Sequence, residues 1–159
     1  MIHTLAKYTV SLGGIGFLKP ASGTWGTLTT LPIAYVIATL FSPIWLLVAS
    51  AIVFFIGWIA TTVYEKNTTR HDASEVVIDE MAGMFLTLAI IPVDMTLYVV
   101  AFFVFRFFDI VKVFPANVID RQKTPFSVMM DDIFAGIYAM VVVWVIWQYD
   151  LINWALAQV

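Results

Sequence analysis

Asp131 and Asp132 stand side by side in "SVMMDDIFAG", at the mouth of a long apolar run. Asp79 and Glu80 do the same just before "MAGMFLTLAII", and Arg106 and Asp109 lie inside "AFFVFRFFDIVKVF". If these three segments enter a fold from one side, five carboxylates meet, and they must repel one another or take up protons. A divalent cation relieves that strain. With oxygen donors, no cysteine and only two histidines, Mg²⁺ is the ion expected and Mn²⁺ the next choice. Arg106, Lys112, Arg121 and Arg70 supply positive groups for a phosphate. A bound metal both activates water and stabilises charge on phosphoryl oxygens. Together with an apolar bundle, these residues point to a phosphorylated lipid.

Each cluster also has a plainer reading. Asp79 and Glu80 suit the start of a helix, where the macrodipole favours acids. Against this, Asp72, Glu75, Asp79 and Glu80 crowd one loop with only Lys66 and Arg70 nearby, whereas His71 reads as a polar surface residue. Arg106, Asp109 and Lys112 are spaced three apart and share a drifting helix face. A private Arg106–Asp109 pair would hold two turns together but leaves Lys112 unexplained, and ionisable groups at membrane depth are costly. Asp132 and Gly136, at i and i+4, give one face an acid and a site of close approach; Gly83 offers the same three residues past Glu80. In "GTWGT", Gly23, Thr24 and Gly26 could form a helix-start turn whose N–H groups bind phosphate. The alternative there is an ordinary cap by Thr24 or Thr27.

The elements that must position these residues are apolar. The hydrophobic fraction is 62% and the charged fraction 12%, too few charges to cover a soluble domain of 159 residues. A net charge of −3 gives no reason to expect nucleic acid. The N-terminus lacks the pattern of a signal peptide. Five apolar stretches are expected as helices, at about Thr27 to Phe41, Ile44 to Tyr64, Glu80 to Ile91, Thr96 to Phe108 and Ile133 to Tyr149. Pro43 and Pro92 mark turns between them. Only the second and fifth approach the roughly 20 residues of a perpendicular crossing, so the others must extend into polar sequence. With five crossings, all eight Lys and Arg residues fall on one side, which the positive-inside rule makes cytoplasmic. The expectation is an all-α integral membrane bundle of about five helices, its N-terminus cytoplasmic, with residues 1–159 as one domain.

The motifs "GTWGTL", "VVIDEMAGM", "FRFFDIVK" and "MMDDIFAG", in this order and spacing between Gly14 and Gly136, resemble the phosphatidylglycerophosphatase A family. The resemblance implies a Mg²⁺-dependent phosphatase of the bacterial cytoplasmic (inner) membrane. Its substrate would be phosphatidylglycerophosphate, its active site would face the cytoplasm, and the membrane would be its other partner. Carried over by position, Asp79, Glu80, Asp109, Asp131 and Asp132 correspond to the acidic site residues, and Asp72 to an acid of the preceding loop. Asp79, Asp131 and Asp72 are the catalytic candidates. Gly23, Thr24, Gly26, Arg106, Lys112 and Arg121 are the phosphate-side candidates. Three departures stand out: Ser22 precedes Gly23 where the family has proline, Val113 follows Lys112 where it has proline, and Thr124-Pro125-Phe126 replaces a glycine pair.

Two other classes compete. An ion or lipid transporter using the acids as a cation path calls for midplane acids and repeated halves, and neither is evident. A structural membrane protein leaves Arg106 and Asp109 without a role.

Overall fold

The computed structural model describes residues 2–68 and 73–157. Arg70, His71 and Asp72 lie outside the described residues. Among the described residues every regular element is a helix. In chain order these are α1 (Ile2–Val10), a 3-10 segment (Leu12–Phe17), α2 (Ser22–Leu40), α3 (Trp45–Thr68), α4 (Ile78–Leu88), α5 (Met95–Val111), α6 (Ala116–Asp120), α7 (Pro125–Gln148) and α8 (Leu151–Leu156). The all-α class stands. The expected helix count is exceeded: the apolar stretches fall in α2, α3, α4, α5 and α7, while α1, α6 and α8 are too short to carry a clear periodic signal. Pro43 and Pro92 lie in connections, as expected.

Apart from α3, the helices that hold the apolar stretches begin earlier than those stretches. At α7, the Thr124 hydroxyl accepts from the Ser127 N–H at 3.0 Å and the Ser127 hydroxyl accepts from the Thr124 N–H at 2.8 Å, a reciprocal cap. Pro125 takes the first position, where a missing N–H costs nothing. Asp131 and Asp132 therefore sit nearly two turns inside α7 rather than ahead of it. Likewise α2 starts at Ser22, directly after Ala21 in the left-handed region (φ 62°). Among the described residues two helices, α3 and α7, each of 24 residues, are long and apolar enough to cross a membrane.

The centre is α4. Every residue of this helix except Leu86 is buried, and α2, α3, α5 and α7 pack around it. A helix apolar on nearly all sides belongs in a core. Its crossing with α7 is too tight for any side chain: a Cβ on Gly83 would sit 2.5 Å from the Asp132 carbonyl oxygen, and one on Gly136 2.5 Å from the Gly83 carbonyl oxygen. Hydroxyls tie the crossing. Thr87 donates to the carbonyls of Gly83 (2.9 Å) and Gly136 (3.3 Å), and Ser50 of α3 donates to that of Ala82 (2.8 Å). Leu46, Met84, Leu88, Phe105, Met129 and Val143 fill the core. Outward faces leave Ile52, Phe55, Ile59, Phe103, Phe107 and Trp144 exposed, far more apolar surface than a monomer in water usually shows.

The N-terminal elements hold the loop that launches α4. The Val77 N–H donates to the Val10 carbonyl at 2.9 Å. Gly16 lies so close to the Glu75 backbone that a Cβ there would overlap the carbonyl oxygen. Tyr64 of α3 donates to Glu75 Oε1 at 2.6 Å.

Candidate functional site

The α4–α7 crossing places the acids. Glu80 precedes Gly83 by three residues and Asp132 precedes Gly136 by four, so each acid lies one turn before the glycine on the face that crosses. One oxygen each of Asp79, Glu80 and Asp132 lie within 4.8 Å of one another, and all three residues are buried. Asp131 is buried beside them. Asp79 and Glu80 lie in the first turn of α4, as the macrodipole reading expects, but neither caps it: Val77 occupies the cap position, and Asp79 Oδ1 accepts from the adjacent Glu80 N–H at 3.0 Å.

From α5, Arg106 Nη1 stands 2.5 Å from Asp109 Oδ2 and 3.6 Å from Glu80 Oε1. The i,i+3 pair foreseen from sequence is present, and it also reaches α4, so it is not private. Glycine at position 23 is what admits α2 to this corner: a Cβ there would overlap Glu80 Oε1 and lie 2.9 Å from Arg106 Nη1. Lys112 does not continue the α5 face. It ends the helix in the left-handed region (φ 46°), and its Nζ donates at 2.5 Å to both Asp131 Oδ2 and Asp120 Oδ1. Burial pulls the Lys112 ammonium down, but the hydrogen bonds it donates to Asp120 and Asp131 outweigh it and raise its pKa above the ordinary lysine value.

These groups line a cavity of about 340 Å³. Asp79, Glu80, Asp109, Asp131 and Asp132 face Arg106 and Lys112 across it, with Ser22, Gly23 and Ser74 at its α2 side. Three sequence candidates do not line it. Thr24 lies within α2, its N–H donating to the Ala21 carbonyl at 3.0 Å. Gly26 packs on Val77, where a Cβ would come within 2.8 Å. Because α2 begins at Ser22, only its first residues reach the cavity, and neither Thr24 nor Thr27 caps it: the Thr27 hydroxyl bonds back to the Gly23 carbonyl. Arg121 is exposed beyond the end of α6. Asp72 lies outside the described residues.

Sequence reasoning missed Asp120, Ser22 and Ser74 as groups at the site. Ser22 donates to the Ser74 carbonyl at 2.5 Å and so ties the start of α2 to the loop before α4. No periodic pattern links Asp120 to Lys112, because the chain leaves α5 and re-forms as α6 between them. The one available signal was a lysine left without an acid on its own helix.

The donor set suits a hard cation. Every candidate ligand is a carboxylate, and Glu80 Oε2 is buried with no hydrogen-bond partner among the described residues. Arg106 Nε is likewise buried with no hydrogen-bond partner among the described residues, while Nη1 is held by Asp109, leaving a guanidinium donor for an anion. A buried carboxylate cluster beside a guanidinium, in one cavity of an apolar helical bundle, fits the class of proteins that act on phosphate groups.

Comparison with known proteins agrees with that class. The sequence model of the phosphatidylglycerophosphatase A family matches residues 8–147. The phosphatidylglycerophosphatase A of Haemophilus influenzae is 37% identical over 150 residues, covering 93% of this chain and 89% of that protein. That of Escherichia coli K12 is 32% identical over 126 residues, covering 78% and 73% respectively. A Bacteroides thetaiotaomicron protein named "Putative phosphatidylinositol-3-phosphatase" is 32% identical over 143 residues, covering 84% and 90%. No solved structure matches the chain at a significant level. The chain belongs to the phosphatidylglycerophosphatase A family and is, with it, a phosphatase.

Proposed function

We propose that this protein hydrolyses the phosphate monoester of phosphatidylglycerophosphate, giving phosphatidylglycerol and inorganic phosphate, with Mg²⁺ as its cofactor and Mn²⁺ as a substitute. The observation that carries this reading is the buried Asp79–Glu80–Asp132 oxygen triad with Arg106 against it in one cavity. The names of the Haemophilus influenzae and Escherichia coli relatives favour this substrate. The whole chain is read as one phosphatase domain in the cytoplasmic membrane of a bacterium, its cavity facing the cytoplasm. Support for that placement comes from the length and apolarity of α3 and α7 and from the charge distribution along the sequence.

Asp79, Glu80 and Asp132, with Asp109 and Asp131 alongside, would hold the metal. Held there, the ion would supply Lewis-acid stabilisation of phosphoryl charge and help activate water. Arg106 and Lys112 neutralise the remaining phosphate charge as it spreads in the transition state. A carboxylate of the cluster takes one proton from the attacking water. The water oxygen bonds to phosphorus, the ester P–O bond breaks, and the glycerol oxygen takes up the proton held by that carboxylate and leaves as a hydroxyl, the water's other hydrogen staying with the phosphate. Buried neighbours keep bulk water from competing for these charges.

The test uses purified protein in detergent with phosphatidylglycerophosphate and Mg²⁺, the same mixture with EDTA, and an Asp131→Asn variant. Phosphate release in the first mixture alone supports the reading. Equal release in all three, or none, removes the proposed site. A parallel assay on phosphatidylinositol 3-phosphate, prompted by the name of the Bacteroides thetaiotaomicron relative, fixes which lipid is preferred.

A further inference from the structure

Beyond the polar cavity, α2 and α5 share an apolar groove of about 660 Å³, walled by Leu28, Leu31, Tyr35, Val36, Tyr98 and Val99. The same two helices bound the cavity, α2 through Ser22 and Gly23, α5 through Arg106 and Ile110. We infer that this groove seats one acyl chain of the lipid whose phosphate enters the cavity. This inference rests on the substrate class proposed above and extends it from the headgroup to the tail.

The register of the helices carries the inference. On α5, Val99 precedes Arg106 by seven residues and Ile110 follows it by four, so groove and cavity residues fall on one face, two turns apart. At 1.5 Å per residue, Val99 lies about 10 Å along the axis from Arg106. A single leaflet's hydrocarbon layer is about 15 Å deep, half of a roughly 30 Å core. The groove thus begins within one tail's reach of the cationic corner. On α2, Ser22, Trp25, Leu28, Pro32 and Val36 climb at intervals of three or four residues. Trp25 is half-exposed between cavity and groove, and its indole N–H donates to the Pro20 carbonyl at 3.1 Å. An anchored indole at that height suits the boundary between headgroup and tail.

Two smaller apolar grooves do not have this continuity. The groove at Trp58, Val63 and Phe126 lies between α3 and α7 and shares one helix with the cavity. The groove at Leu5, Ile56 and Ala60 lies between α1 and α3 and shares none. Of these three grooves, the α2–α5 groove is the one walled by the two helices that also carry Gly23 and Arg106.

The experiment compares dipalmitoyl with dibutyryl phosphatidylglycerophosphate, each with Mg²⁺, on the unaltered protein and on Val99→Trp and Val36→Trp. The indole fills the groove from one wall or the other. Displacing about two buried methylenes of the long tail raises KM for the dipalmitoyl lipid about tenfold, leaving dibutyryl kinetics unchanged. An unchanged long-chain KM in both variants overturns the groove alone. So does an equal loss on both lipids by both variants, since a misplaced site does not discriminate tails. If Val99→Trp loses both activities, Val36→Trp on the facing helix decides by the same ratio. Failure of the unaltered protein to release phosphate from either lipid overturns the substrate reading, and the groove with it.

Discussion

Helix α5 begins and ends with acids that have opposite employment. At its start, Asp94 is exposed and its Oδ1 accepts from the Leu97 N–H at 2.9 Å, an ordinary cap whose charge is satisfied by backbone and water. At its end, Asp109 pairs with Arg106, and across the cavity Asp79, Glu80, Asp131 and Asp132 are buried with few backbone donors. Folding stability alone does not favour burying these carboxylates, since replacing such groups by apolar residues is commonly neutral or stabilising. One end of the helix is shaped by local geometry, and the other fits the binding role proposed for the cavity.

The sharpest way to break that contrast is to neutralise one acid at each end. Asp132→Asn keeps the shape of the side chain and removes its charge. It is expected to lower kcat/KM for phosphate release about a thousandfold, with the thermal midpoint held or raised. Asp94→Ala should do the reverse, costing about 1 kcal/mol of stability through the lost cap and leaving kcat/KM unchanged. A comparable loss of activity from Asp94→Ala would show that the two ends do not differ in kind. A smaller effect, specific to metal, is expected at Glu80. Glu80→Gln should raise the Mg²⁺ concentration for half-maximal activity by about a hundredfold, the upper end of what even a supporting residue costs. A metal titration of the variant checks it, and an unchanged requirement takes Glu80 out of the ligand set.

The contrast also explains how much could be read from the sequence. Apolar runs fixed the long helices, because a period and a length survive any tertiary arrangement. The acids and Arg106 were legible because a charge within "AFFVFRFFDIV" has no cheap structural use. Helix starts were less legible. Thr124 and Ser127 form a reciprocal cap although Ser127 is not the usual Glu or Gln, so α7 begins eight residues before its apolar run. In "GTWGT" the glycines were noticed for a turn, whereas their use is contact: Gly23 clears Glu80 and Arg106, and Gly26 clears Val77. That role depends on a partner from another segment, and no local pattern encodes it. Asp120 was passed over for the same reason, since its value comes from Lys112, eight residues and one chain reversal away.

Asp120 supplies the smallest effect expected. Lys112 Nζ bridges buried Asp131 and the more exposed Asp120, so Asp120 positions the ammonium without touching the triad. A partly exposed ion pair is worth up to about 1 kcal/mol, so Asp120→Asn should lower kcat/KM no more than about fivefold. In a Lys112→Met background the same change should have no further effect, because the group it positions is gone. The sign with pH follows from the raised pKa of Lys112: the pair's stabilisation is complete below the ordinary lysine value of about 10.4 and is lost only as pH climbs through the higher folded value. The Asp120→Asn defect should therefore be flat from about pH 6 to pH 9. Additive losses in the double variant would mean that Asp120 acts on the cavity directly, and the acids at this end would number one more than the triad and its two neighbours.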